Sequence, residues 1–405
     1  MTQIEQSYAR GLYPRLAILA AGLFVVGTNA FVIAGLLPDI AASLGVTPGE
    51  VGYSITDYSL VVAIGAPALS ILLPRLSRTV LMSIGLAFVA VGTLLAASAP
   101  DLTAFTVGRI VAALGGAALV PAATAAAASL APVERRGRAI AVVAIGFTAA
   151  SAFGAPLGTA IAAAGSWRVP LFGLAALAAV LSVAVALGVR RVPLGTPVSV
   201  RRRFAVLADR RVLLTLVATL FVLCGFNVVY IFSSAVTATV TGGSGVVLAV
   251  LLLVFGISGV VGNLVAGRLT DRFGNRRVTV PFLGIQVAVL AALPLASGNL
   301  VITGLLFAVW GASANAATLP IQHRLIEIDP ATAGVALSWY STAMYAGIAL
   351  APPLGAAALA TGGASLVPLV GAVAILLALI AFQAGRATGR QRSATAIPDA
   401  GPALP

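Results

Sequence analysis

Apolar residues along this chain do not alternate with polar ones; they run together in twelve long stretches separated by polar connections. A helix needs about 20 apolar residues to cross the hydrocarbon of a bilayer. Runs at 16–37, 51–73, 79–98, 102–125, 138–163, 169–189, 212–238, 246–267, 278–297, 299–321, 333–358 and 364–384 meet that length. The pattern predicts an all-α membrane protein with twelve spanning helices. One connection is long, residues 190–211 (RRVPLGTPVSVRRRFAVLADRR), and it falls near the middle of the chain. Twelve spans divided six and six suggest a duplicated unit. A shift of 197 positions brings Gly65 onto Gly262, Leu72 onto Leu269 and Arg75 onto Arg272, at the ends of spans two and eight. The expected organisation is a six-helix bundle over 1–189, a basic cytoplasmic linker over 190–211, a second six-helix bundle over 212–385 and a disordered tail over 386–405.

Composition strengthens the membrane reading. Of 405 residues, 60% are hydrophobic and 9% charged, against about 45–50% and 25% in soluble domains. A single Cys, Cys224, excludes a disulfide framework within the chain, and a single His, His323, excludes a multi-histidine metal centre. No metal and no cofactor are expected. The net charge of +13 comes from 24 basic residues, all arginine, and they gather in alternate connections. Arg75 and Arg78 follow span two, Arg135, Arg136 and Arg138 follow span four, and Arg190, Arg191, Arg201, Arg202, Arg203, Arg210 and Arg211 follow span six. Arg268, Arg272, Arg276 and Arg277 follow span eight, Arg324 follows span ten, and Arg386, Arg390 and Arg392 lie in the tail. The other connections hold Asp39, Glu50, Asp101 and one arginine, Arg168. By the positive-inside rule both termini are cytoplasmic, and nothing in this distribution tracks a phosphate backbone, so no nucleic-acid partner is expected. The arginine-only, Ala/Gly-rich usage points to a GC-rich bacterial genome, and the expected location is the bacterial inner (plasma) membrane. The first apolar run is long enough to span and carries no convincing cleavage site.

Several stretches carry chemistry. Residues 146–158 (GFTAASAFGAPLG) place Gly146, Gly154, Pro156 and Gly158 inside a run without charge, where they would bend a helix and let it pack closely on a neighbour. In GRLTDRFGNRR, Gly267, Asp271, Arg272, Gly274, Arg276 and Arg277 form a charge cluster at a helix end, able to latch one bundle to another as the bundles rock. Ionisable residues within spans are expensive and functional by default. Asp57, in GYSITDYSL, is the acid best placed to exchange a proton at membrane depth. Arg109 lies inside span four. A substrate path would draw on Asn29, Tyr58, Asn227, Tyr230, Gln322, Trp339, Tyr340 and Tyr345, about one in three of them facing the cavity. Few charges and several rings suit an amphipathic substrate, uncharged or weakly cationic.

The loop Gly267–Arg277 resembles the signature loop of the major facilitator superfamily. Its first-half counterpart, SILLPRLSRT, has Pro74 at the Asp position and Ser77 at the Gly position, keeping Arg75 and Arg78. Residues 146–158 resemble the fifth-helix antiporter motif of drug/proton exporters. GTNAFVIAGLLPDIAASLGV, GAP at 65–67, PVERRGRA and SWR are similar to the arabinose-efflux and chloramphenicol-resistance branch, over residues 12–385 in all. The resemblance implies two pseudo-symmetric six-helix bundles, alternating access and a fourth-helix arginine, here Arg109, acting in proton transfer; a monomer is expected as the working unit. Related exporters often carry a first-helix acid where this chain has Asn29 and Ala30, which moves proton coupling to Asp57. The expected function is proton-coupled efflux of a small amphipathic drug-like compound or metabolite. A sugar or nucleoside exporter or facilitator without coupling is the alternative. A membrane-embedded enzyme lacks a catalytic dyad or metal cluster, a channel lacks a charged ring, and no phosphate-binding loop makes ATP an energy source.

Overall fold

The computed structural model describes residues 3–73, 76–132, 135–189, 192, 199–296 and 298–395; of residues 3–11 and 386–395 it describes the backbone alone. Arg75, Arg190 and Arg191 lie outside the described residues. Within them, twelve helices are long and apolar enough to cross a membrane. The first half holds α1 (Gln3–Leu44), α2 (Pro48–Leu72), α3 (Arg78–Ala97), α4 (Leu102–Leu130), α5 (Arg136–Ala163) and α6 (Arg168–Gly188). The second holds α7 (Arg210–Ile231), α8 (Gly245–Phe273), α9 (Asn275–Ala292), α10 (Leu300–Ile328), α11 (Ala333–Gly362) and α12 (Leu366–Thr395). Among its described residues, the connection between halves holds a short helix, Val200–Ala205, followed by a 3-10 turn, Val206–Ala208.

Helix ends are fixed by side chains that satisfy orphan amides. Thr47 and Glu50 form a reciprocal capping box at the start of α2. Asp101, Asp209 and Asn299 cap α4, α7 and α10. Between α8 and α9, Gly274 takes a φ of 78° that only glycine adopts without strain, so two helices meet with almost no loop. Arg168, the arginine of the opposite face, donates to Ser43 Oγ and the Ala99 carbonyl and stacks on Trp167. It ties three helix ends together.

Three boundaries differ from the sequence pattern. α10 runs on to Ile328, so Arg324 is a buried helix residue instead of a connection arginine: its Nε donates to Thr215 of α7 and it stacks on Phe382 of α12. Hydrophobicity alone ends the span too early because a long side chain with local partners can stay inside the bundle. α12 continues to Thr395 where a disordered tail was expected over 386–405; residues 396–405 lie outside the described residues. Arg, Ala and Gln are good helix formers, and extending an existing helix needs no new nucleus. α7 stops at Ile231, and two short turns, Ser233–Val236 and Ala238–Thr241, carry the chain to Gly242. There Thr237 and Thr241 bond back to carbonyls four residues earlier, which bends and weakens the helix.

The side-chain distribution is that of a protein solvated by lipid. Ile64, Val180, Leu264 and Val301 stand more than half exposed on the perimeter, while Asn29, Arg109, Asn227, Gln286 and Arg324 are buried. Helices gain nothing from leaving lipid for one another by the hydrophobic effect alone, so close approach through small residues holds them. The α1–α5 seam shows this best. An added Cβ would collide with the Ala20 carbonyl oxygen at Gly146, with Thr28 at Gly154 and with Val32 at Gly158. Between these glycines, Ala150–Gly154 form a π turn. Twelve residues of regular helix would rotate Gly158 about 120° from Gly146; the wide turn takes back about one residue of that rotation, keeping all three glycines on α1.

Across the halves, contacts run from mid-depth to the arginine-poor face. Thr56 Oγ1 donates to the Ala349 carbonyl at 2.9 Å, joining α2 to α11, Gly52 faces Phe232 and Pro352, and Gly49 faces Ala356. Gly256 and Gly245 of α8 meet Ala152 and Ala163 of α5. At the arginine-rich face the linker helix bridges instead: Arg203 donates to Ser70 of α2, its carbonyl accepts from Trp339 Nε1 of α11, and Phe204 meets the Trp339 ring edge-on.

Gly146→Ala should lower stability in detergent by about 1–3 kcal/mol, since the obstacle is backbone, whereas Gly173→Ala, with nothing within 4 Å of its added Cβ, should leave the unfolding temperature unchanged or raise it. Hydrogen bonds from the Arg211 side chain hold the Asp209 carboxyl below the ordinary carboxylate range. A carboxylate with a depressed folded pKa stabilises above its unfolded pKa, and that contribution disappears as pH falls through the folded value. Asp209→Ala should therefore cost about 0.5–1 kcal/mol at neutral pH, with the gap closing as pH falls below the ordinary carboxylate range, read by thermal unfolding across pH.

Candidate functional site

A small cavity lies between the halves, with about 10 Å³ open to the centre of a water molecule, roughly enough for one water. Phe31 of α1 and Ile55 and Ser59 of α2 line it from the first half; Asn227 and Tyr230 of α7 and Tyr345 of α11 line it from the second. Ala30, Ala34, Ile231 and Ile348 complete the wall, and none of the lining residues is charged. Phe31 meets Tyr230 edge-on across the halves at 5.9 Å between ring centres. Behind Tyr230 stand Phe226, Phe255 and Trp310, with Phe226 and Phe255 stacked at 5.5 Å. This aromatic block fixes the Tyr230 ring. Its hydroxyl and that of Tyr345 are buried without a hydrogen-bond partner among the described residues. Asn227 donates through Nδ2 to the Leu223 carbonyl, which leaves its carbonyl oxygen as the acceptor available on that side chain.

Beside the cavity, inside the first half, Arg109 is 2% exposed. Its Nη1 donates to the Asn29 carbonyl oxygen at 2.7 Å and to Asn29 Oδ1 at 2.5 Å. Asn29 Nδ2 in turn donates to Thr93 Oγ1. The guanidinium carbon lies 4.3 Å from the centre of the Tyr58 ring, while Nε and Nη2 have no partner among the described residues. Among the described residues no carboxylate pairs with it. An amide oxygen and a ring face solvate this cation; they do not neutralise it.

Asp57 sits one residue from Tyr58, on a different side of α2. It shares a face with Tyr53, Leu60 and Ile64, which stand 43–67% exposed, and no hydrogen bond or ion pair to it is found among the described residues. At about 100° per residue, it lies roughly 200° around the helix from Ser59, which lines the cavity.

The remaining sequence-expected residues distribute as follows. Asn227, Tyr230 and Tyr345 line the cavity, whereas Asn29 and Tyr58 hold Arg109. Trp339 binds the linker helix, and Tyr340 meets Gln322 away from the cavity. Gly146, Gly154 and Gly158 seat α5 on α1, with Pro156 buried just past the wide turn. In the Gly267–Arg277 loop, Gly267 packs near Leu319, Arg272 stacks on Phe273, and Asp271, Arg276 and Arg277 are exposed. That loop is tied within its own half, by Asn275 Nδ2 donating to Glu327, which also meets His323. Arg78 likewise binds within its half, to the Ala125 carbonyl and Ser129 of α4. The bridge between halves at this face is Arg203 and its neighbours, which read in the sequence only as linker charge. Phe31 and Ser59 were also missed. An isolated Phe or Ser in an apolar run carries no signal until its facing helix is known.

A model described as the Major Facilitator Superfamily matches residues 19–352. Among curated proteins, the chain is 32% identical to an MFS-type transporter, YbcL, of Bacillus subtilis, covering 91% of this chain and 94% of that one. It is 30% identical to the inner membrane transport protein YdhP of Escherichia coli, over 91% and 94%. To a chloramphenicol resistance protein of Streptomyces lividans it is 30% identical, over 91% and 95%. Among solved structures, the nucleoside transporter NupG superposes with a TM-score of 0.73 at 14% identity, covering 92% of this chain and 99% of that one. An inward-facing bacterial homologue of the lysosomal transporter Spinster gives 0.71 at 14%, over 95% and 97%. These two show the fold alone. With twelve spanning helices, a cavity walled by both halves and a family match across most of its length, the chain belongs to the Major Facilitator Superfamily: it is a multi-pass membrane transporter and not an enzyme.

Proposed function

We propose that this transporter exports a small amphipathic molecule, drug-like or a metabolite, in exchange for protons. One observation carries the reading: a cavity is walled by aromatic and uncharged polar side chains from both halves. Rocking the halves about such a cavity turns it from one side of the membrane to the other. The arginine-rich face, with both termini, is the cytoplasmic one. Export is the direction consistent with the relative named for chloramphenicol resistance. A bacterial plasma membrane is the setting, the bilayer, protons and substrate are the partners, and a single chain is the working unit.

For coupling, Asp57 is the acid at membrane depth. On the exposed face of α2, its carboxylate form is expensive, so its charge state weights the positions that α2 takes as the halves rock. Arg109 does not pair with it in this conformation. The buried guanidinium instead supplies a permanent positive charge in the first half, dependent on Asn29. One observation favours the second reading, facilitation without coupling: Asp57 contacts neither Arg109 nor the cavity.

In liposomes containing a pH-sensitive dye, chloramphenicol-dependent proton movement is expected from the wild type and should vanish in Asp57→Asn. Flux that persists in Asp57→Asn with no proton movement in either protein would make this a facilitator. The Arg109 site has its own check. Asn29→Ala strips a buried cation of a charge-assisted bond and should cost about 2–4 kcal/mol in thermal unfolding. Arg109→Met, which removes the cation with little loss of volume, should cost less, and the double variant should be no worse than Arg109→Met alone.

A further inference from the structure

We infer that the cavity selects an uncharged substrate that accepts hydrogen bonds, and that the hydroxyls of Tyr230 and Tyr345 determine this specificity. The inference rests on the export reading above for its site and goes beyond it in naming the chemistry recognised there.

Three observations converge. First, the lining holds no charge, and a buried positive charge stands beside it: Arg109 is bonded to Asn29, next to the lining residue Ala30. A cation entering this space would lose its hydration, find no counter-charge and lie close to a like charge. Asp57 cannot serve as that counter-charge from the far side of α2. Second, the two phenols are buried donors with no acceptor among the described residues. A buried hydroxyl left unpaired is costly, so a site that keeps two beside one cavity offers donors to whatever fills it. The Tyr230 ring is clamped by Phe31, Phe226 and Phe255, so its donor is pre-positioned and little entropy is lost on binding. Third, the wall is asymmetric. Asn227, Tyr230 and Tyr345 all belong to the second half, while the first half presents Phe31, Ala30, Ala34 and Ile55 with Ser59 as its one polar group. A bound molecule therefore turns its carbonyl, nitro or ether oxygens towards α7 and α11 and its apolar end towards α1.

A rejection of isosteres follows from the same donors. A site built to bond an oxygen discriminates strongly against the analogue that lacks it, because its own buried groups are then left unpaired.

The test is equilibrium binding to the purified full-length protein in detergent, with radiolabelled chloramphenicol as the uncharged probe and tetraphenylphosphonium as the cation. Wild type, Tyr230→Phe and Tyr345→Phe are compared, and each is also unfolded thermally without ligand. Saturable chloramphenicol binding is expected, with little binding of the cation. Each Phe variant should weaken it about threefold to tenfold, the worth of one neutral hydrogen bond. The empty variants should unfold at the same temperature or higher, since each loses an unpaired hydroxyl and keeps its ring. Tetraphenylphosphonium binding in preference to chloramphenicol would overturn the inference and leave export of another substrate standing. Unchanged affinity with a lowered unfolding temperature would assign the hydroxyls to the fold and overturn it as well. Saturable, tyrosine-dependent binding of chloramphenicol without transport in liposomes would remove the export reading and leave this one.

Discussion

In lipid, two helices come close only where side chains are small enough to let their backbones approach, and the α1–α5 seam is the approach on which this structure turns. Gly146, Gly154 and Gly158 seat α5 against Ala20, Thr28 and Val32 of α1. That seating fixes the rotation of α1 about its axis, and the other faces of α1 carry the parts that matter. Asn29 points to Arg109 and Thr93 within the first half, and Phe31 points to the cavity and Tyr230. Ala152, inside the wide turn of α5, also meets Gly256 of α8. One short segment thus touches the helix that holds the buried cation and a helix of the opposite half.

Arg109 shows why burial of a charge need not signify stability. Taking a guanidinium out of water costs several kcal/mol, and without a carboxylate the Coulombic return is missing. Oxygen lone pairs of Asn29 and the face of Tyr58 reduce the penalty but leave the charge in place. Arginine cannot shed its proton to escape. The first half therefore carries a positive potential that no physiological pH removes, and the uncharged cavity beside it has to be understood in that field.

The sequence makes the spans, the division into halves and the glycines of the seam readable, because each depends on local pattern: run length, charge alternation and the spacing of small residues. Those patterns carried over to twelve helices and to close contacts at Gly146, Gly154 and Gly158. What the pattern could not give was partnership. Asn29 and Tyr58 have the chemistry of cavity residues, and only the rotation of α1 and α2 turns them towards Arg109. Trp339 looks like a substrate platform until the linker helix is found beneath it. Arg324 follows an apolar run as a connection arginine does, yet Thr215 and Phe382, more than fifty residues away in sequence on either side, keep it inside. Of the eight expected cavity residues, the three that line it, Asn227, Tyr230 and Tyr345, come from helices at the contact between halves. That is a fact of assembly, and no local window contains it.

The two halves have divided the work, and one turn of α2 joins what they do. Thr56 bonds the Ala349 carbonyl of α11, Asp57 faces outward, Tyr58 lies beneath Arg109, and Ser59 looks into the cavity. Successive helical residues point about 100° apart, so four neighbours reach four environments: the opposite half, the perimeter, the buried charge and the substrate space. No small rotation or slide of α2 can alter one of these contacts and spare the others. When the halves rock, the Thr56 bond at their contact must change, and with it the exposure of Asp57, the solvation of Arg109 and the polar side of the cavity's first-half wall. In the proposed exchange, coupling therefore needs no wire between distant sites. It needs one rigid turn whose position each of those four environments weights.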